Sequence, residues 1–246
     1  MRPNVPHSSI ARAASPPTRV ILARHGETRF NLQHRMQGLC DSPLTAAGEA
    51  SAEKLGLGLR DAGLAIDAAF SADTGRHRRT AQLVLRAFSG VSGTETAALR
   101  ECDFGGFEGM MLSDAVAELT RIAPGWNPGP LPGDAHFDML DLLERIAGAT
   151  VREEYPVEPP SSAAERAHAL LEDIHRQHGG STSLAISSGI TVLALLRRLQ
   201  ITAPGLERGM QNCAHLVLVR REHGWQLEDG ASPHCARDMH NVRQNG

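Results

Sequence analysis

The stretch ARHGET sets Arg24 and His25 side by side before Gly26, and RHRRTAQ opens on a second arginine, Arg76. Two guanidiniums and an imidazole converging on one crevice suit a phosphoryl group. Forked N–H donors match its oxygens and keep their charge, while the imidazole attacks phosphorus. Glu101, in LRECDFGGFEG, adds a carboxyl that can act as general acid toward a leaving oxygen if burial or nearby negative charge raises its pKa. Singly, each residue has an ordinary structural explanation: a packed histidine at a strand end, a solvated arginine on a helix face, a surface glutamate. The chemistry therefore depends on their convergence.

The elements that must position them alternate. RVILA (19–23) is β-branched and apolar and reads as a central strand delivering Arg24 and His25 at its end. Residues 44–64 read as an amphipathic helix with Thr45 as cap and Glu49 near the first turn. A second strand is expected at 66–73, a helix at 76–88, and a short strand pattern at 95–100 leading into Glu101. SLAISSGITVLALLRRL (183–199) reads as a buried strand, a tight turn at Ser187, Ser188 and Gly189, and a core helix. A helix at 162–178 precedes it, and 215–229 resembles a closing hairpin. This alternation predicts parallel pairing through right-handed crossovers, with ligands beyond the strand ends where helix N-termini offer free N–H groups. Residues 104–165 carry seven prolines and short helical patches such as FDMLDLLERIAG, and are expected to form an insertion beside the sheet.

The chain has 246 residues and a formal charge of −3, from 25 Lys plus Arg against 28 Asp plus Glu. No global basic field points to nucleic acid or an anionic membrane, so an anionic ligand needs a local arginine cluster. Cys40, Cys102, Cys213 and Cys235 stand far apart, the usage of a reducing compartment. The N-terminal stretch lacks a signal-peptide apolar core and no run is long enough to span a bilayer, so a cytoplasmic protein is expected. Residues 1–17 and 231–246 read as tails around a single domain at 18–230. HCARDMH, with His234, Cys235 and His240, lacks the four ligands of a recognised metal site.

ILARHGETRFN, QGLCDSPLTAAG, FSADTGRHRRTAQ and LRECDFGGFEG together resemble, in order and spacing, the histidine phosphatase superfamily, also called phosphoglycerate mutase-like. The likeness runs from residue 19 to about residue 220. It implies a three-layer α/β/α sandwich with a mainly parallel sheet and the site at its carboxyl edge. It also implies roles. His25 becomes a phosphohistidine; Arg24 and Arg76 hold phosphate oxygens; Asn31 lines the pocket; Glu101 gives a proton to the leaving group and then takes one from water. Gln37 and Gly38 match a QG pair that accompanies phosphatases more often than glycolytic mutases. No metal or other cofactor is expected, since arginines supply the charge neutralisation. The partner is a small phosphorylated metabolite.

One departure stands out. Where the family reads S-H-G after the strand at 183–187, this chain has Ser188 in the histidine's place. A hydroxyl still donates one hydrogen bond but lacks the charge-assisted part, a deficit on the order of 10²- to 10³-fold if nothing compensates. Three readings stay open: a slow or specialised phosphatase, a pseudoenzyme that binds a phospho-ligand, or a substitution introduced to trap a complex. A phosphoglycerate-type mutase is a further alternative. His77 and His215 are conceivable substitutes, although helix-face or strand packing explains both.

Overall fold

The computed structural model of the chain describes residues 16–122, 139–148, 155–206 and 209–228. The apolar run of the first strand, β1 (Arg19–Arg24), sits in mid-sheet with its four inner residues fully buried. Its partners are β4 (Thr182–Ser187), in parallel, and β5 (His215–Arg221), antiparallel. With β2 (Ala68–Ser71), β3 (Gly93–Glu95) and β6 (Gly224–Leu227), the order across the sheet is β3-β2-β4-β1-β5-β6. Four strands are parallel, and the β5–β6 hairpin closes the antiparallel edge. Strand residues alternate between faces. Val20 and Leu22 join a core with α6 (Pro160–Gln177) and α7 (Gly189–Arg198), whereas Ile21 and Ala23 join one with α2 (Ala46–Asp61) and α3 (Gly75–Leu85). The expected three layers follow.

Helix starts are locally encoded. Thr45 caps α2 by accepting the Gly48 N–H at 2.9 Å. Gly48 must be small: a Cβ there would stand 2.1 Å from the Glu27 carbonyl, so its absence lets the turn after β1 lie against the first turn of α2. A four-residue helix, α1 (Arg29–Leu32), follows that turn under a Thr28–Asn31 capping box and is absent from the periodicity reading. The strand expected at 95–100 is shorter and earlier. β3 ends at Glu95 because its parallel partner β2 ends at Ser71, and 97–99 wind into a 3-10 turn.

The described part of 104–165 contains α4 (Leu112–Ile122), α5 (Met139–Gly148) and the start of α6, with no strand of the sheet. It has its own apolar cluster, including Phe104, Phe107, Leu119, Leu143 and Ile146, over which Met36 packs. Most of both expected tails, four prolines of the insertion (Pro124, Pro128, Pro130, Pro132) and the HCARDMH stretch lie outside the described residues. Among the described residues no helix is long and apolar enough to cross a membrane.

Candidate active site

Register brings the ends of β1 and β4 together. Arg24 pairs with Ser187, and the His25 N–H donates to the Ser187 carbonyl at 3.0 Å. His25 is 2 % exposed. Its Nδ1 lies 2.8 Å from the Gly26 carbonyl, which can only accept, so Nδ1 carries the proton and Nε2 keeps its lone pair. Burial pushes the His25 pKa well below the usual histidine range. The Arg76 guanidinium, His77 and Arg24 push it the same way, and the Gly26 carbonyl opposes them. The imidazole is thus neutral.

A cavity of about 640 Å³ opens in front of this ring, lined by Arg24, Asn31, Gln37 and Glu101 among others. Arg24 spends one Nη on the Met210 carbonyl, while its Nε is buried with no partner. Asn31 accepts from the Thr28 N–H and from Asn212 Nδ2, both at 3.1 Å, which leaves its own amide N–H for the cavity. Gln37 is used at both ends, accepting from Thr28 Oγ1 and donating to Ser42 Oγ. The rest of the lining is mixed: Phe104, Leu112, Ile190 and Leu193 supply apolar surface, and Glu27, His34, Arg35 and Gln211 supply polar and charged groups.

Glu101 lies at the N-terminus of α7 as its cap. Oε1 accepts from the Cys102 and Thr191 N–H groups, at 3.0 and 2.9 Å, and shares the Thr191 hydroxyl with the Arg100 carbonyl, each 2.9 Å away; Oε2 accepts only from the Ile190 N–H at 3.0 Å. The segment before it is pinned by Arg166, which donates to the Ala98, Arg100 and Glu101 carbonyls. Oε2 is the oxygen with room for another partner.

Arg76 and Ser188 are placed differently from the residues in front. Both are 1 % exposed and neither lines the cavity. The Arg76 fork grips the loop behind it: Nη2 donates to the Gly38 carbonyl at 2.7 Å, and Nη1 to the Cys40 carbonyl and to Asp41 Oδ1. Its charge reaches the site, since it depresses the pKa of both His25 and Arg24. Gly38 is likewise buried. A Cβ there would stand 2.2 Å from the Cys102 carbonyl and from Glu108, whose carboxylate gathers the Gly38, Leu39, Cys40 and Phe104 N–H groups. Burial, then Glu108, pushes the Cys40 thiol up to about 12.

Sequence reading missed Asn212, Glu108, Arg166 and Thr191, and it weighed His77 as a conceivable substitute for the absent histidine while favouring a packing role. His77 is fully buried, 2.8 Å from Ser188 Oγ, and meets the His25 ring edge-on at 5.0 Å. Among the described residues no three His, Cys, Asp or Glu side chains cluster as a metal site.

A family model described as "Histidine phosphatase superfamily (branch 1)" matches residues 20–231. The chain belongs to this superfamily. It is 32 % identical to "Probable phosphoglycerate mutase GpmB" of Salmonella arizonae over 208 residues, covering 84 % of this chain and 86 % of the relative. Among solved structures it is similar to a phosphoglycerate mutase from Bacillus anthracis, with 26 % identity, TM-score 0.77 and coverage of 92 % and 98 % of the two chains. A mycobacterial glucosyl-3-phosphoglycerate phosphatase shares the fold at 20 % identity, TM-score 0.63, covering 87 % and 98 %. The superfamily thus joins phosphatase and mutase names on the fold found here.

The two buried imidazoles are expected to make the fold acid-sensitive. Burial, then Arg76 and Arg24, holds His77 well below its usual value, as burial does His25. On acidification the unfolded chain takes up protons first, so the stabilisation is present above the ordinary value of 6.5 and is lost below it. The expected loss is about 1.4 kcal/mol per pH unit for each imidazole still neutral. Thermal unfolding between about pH 8 and about pH 5 should show Tm falling on the acid side, less steeply in His77→Gln; equal slopes refute the assignment to His77.

Proposed function

We propose that the chain is a phosphomonoesterase acting through phospho-His25, with arginines rather than a metal ion neutralising the phosphoryl charge. The observation that carries this reading is the tautomer of His25: with Nδ1–H held by the Gly26 carbonyl, the nucleophilic lone pair is on Nε2, within reach of the Arg24 and Glu101 cavity. Nε2 attacks phosphorus, the P–N bond forms and the P–O bond to the alcohol breaks. Glu101 supplies the proton to the leaving oxygen from Oε2. The same carboxylate then takes a proton from water, whose oxygen attacks phosphorus; the P–N bond breaks, the lone pair returns to His25 Nε2 and inorganic phosphate leaves. Arg24 Nε and the Asn31 amide N–H meet the phosphoryl oxygens; Arg76 contributes its charge from behind. Ser188, directly before the cavity-lining Gly189, stands where the family carries an imidazole, and it replaces a charged donor by a neutral one. The mixed lining, with Arg35, His34 and Gln211 beside Phe104 and Leu193, suits a small monoester whose body carries polar groups.

The names of the relatives favour a second reading, a mutase that returns phosphate to another hydroxyl of its substrate. A panel of aryl, alkyl and sugar-acid phosphates tests both. The expected result is inorganic phosphate release together with an acid-labile, base-stable phosphoenzyme that His25→Ala lacks. Equal release by wild type and His25→Ala overturns the proposal. Isomerised substrate with little free phosphate supports the mutase, and binding with neither label nor release supports a phospho-ligand sensor.

A further inference from the structure

Ser188 is the N-cap of α7, a position from which serine ordinarily turns its hydroxyl onto the second or third helical N–H. Those two donors, Ile190 and Thr191, are already taken by Glu101, and the Ser188 side chain caps nothing. Its hydroxyl is bonded instead to His77 Nε2 at 2.8 Å, while His77 Nδ1 is bonded to the Thr74 hydroxyl at 2.5 Å. A buried imidazole between two hydroxyls, with the Ser187 carbonyl as a further acceptor, is held below its usual pKa by burial and by Arg76 and Arg24 against that carbonyl, and it is neutral with one proton to share. It therefore donates at one nitrogen and accepts at the other. The residue after Ser188 lines the cavity, and a Cβ on that Gly189 would be 3.6 Å from the unpartnered Arg24 Nε. The serine thus stands next to the place where an anion must go to satisfy Arg24.

We propose that His77 and Ser188 act as one unit that presents the Ser188 O–H to a transferring phosphoryl oxygen: Thr74 donates to Nδ1, Nε2–H donates to Ser188 Oγ, and the serine proton is left for the ligand. The inference rests on the phosphoryl-transfer reading above. Each donor in such a chain polarises the next, so the hydroxyl is a better donor than an isolated serine, and its buried supports spare it reorganisation as charge develops. His77 is a positioning residue carried by α3, and its ring, packed edge-on against His25, also holds the nucleophile in place.

A double-mutant cycle tests this on whichever ester turns over fastest. Ser188→Ala and His77→Ala are each expected to lower kcat about 10²-fold with KM within about threefold, and the double variant to be no worse than either. Moving the imidazole, in His77→Ala/Ser188→His, is expected to bring kcat back to within about tenfold of wild type, which a packing role for His77 does not predict. Should His77→Ala fail to fold, Thr74→Val reads the same chain from its outer end, with an expected kcat loss of about tenfold at unchanged KM. Unchanged kcat in Ser188→Ala or Thr74→Val, losses that multiply in the double variant, or a swap no better than His77→Ala each overturn the unit. Turnover surviving in His25→Ala, run alongside, discards the phosphohistidine reading itself.

Discussion

Replacing Glu101 by glutamine is expected to lower kcat for alkyl phosphates about 10³-fold while costing p-nitrophenyl phosphate less than about tenfold. The split follows from the geometry. Oε1 is committed to two backbone N–H donors and shares the Thr191 hydroxyl with the Arg100 carbonyl, whereas Oε2 has one donor, so Oε2 is the oxygen placed to carry a proton outward to a leaving oxygen. An alkoxide needs that proton and a nitrophenolate scarcely does. Glutamine keeps an acceptor for Thr191 and Cys102 but turns an N–H₂ toward the Ile190 N–H, a donor facing a donor, at a stability cost of about 1–3 kcal/mol. Glu101→Ala leaves the α7 N–H groups bare and is expected to lose more stability and more activity. Steady-state kinetics on the two esters, with urea unfolding of each variant, separates the contributions; equal losses on both esters would show that Glu101 serves only as a helix cap.

The parts of this molecule that were legible in its sequence are those fixed by local pattern. The apolar run at 19–23, the Thr45 cap and the paired turn and helix at Ser187–Gly189 each fix their own geometry within a few residues. Sheet order was not legible, because nothing in RVILA names β4 and β5 as its neighbours; that choice is made by both faces of β1 being buried at once. α1 escaped because four residues hold no hydrophobic period, although Thr28 and Asn31 carry its capping box. At the site, Arg24, His25 and Glu101 could be nominated by residue type, since a phosphoryl group restricts the chemistry that serves it. Their supports could not. The His77–Ser188 bond joins residues 111 apart, and Asn212, which steadies Asn31, sits in a loop with no chemical signature of its own. Arg76 was nominated for the crevice, yet its fork reaches backwards into the Gly38–Asp41 loop, an orientation that residue type does not encode.

That orientation makes Arg76 the position with the largest combined effect. Arg76→Met is expected to destabilise the protein by about 1–3 kcal/mol, because it leaves the Gly38 and Cys40 carbonyls without their donor, while the exposed Asp41 carboxylate keeps the Gly75 N–H. Arg76→Lys recovers little, since one ammonium cannot span three acceptors that a planar fork meets together. Catalysis is expected to fall as well, by about 10³-fold or more in kcat/KM at neutral pH, through loss of positive potential behind the phosphoryl group. The His25 pKa gives an independent readout. Arg76 is the largest cause after burial of its depression, so removing that charge lets the imidazole hold its proton to higher pH and moves the acid limb of the kcat/KM profile upward. Denaturant titration and a pH–rate profile of Arg76→Met check both halves. A variant that unfolds at the wild-type urea concentration would show that the loop does not depend on the fork. An acid limb that stays in place would show that the Arg76 charge does not reach His25, and that Arg24 alone faces the phosphoryl group.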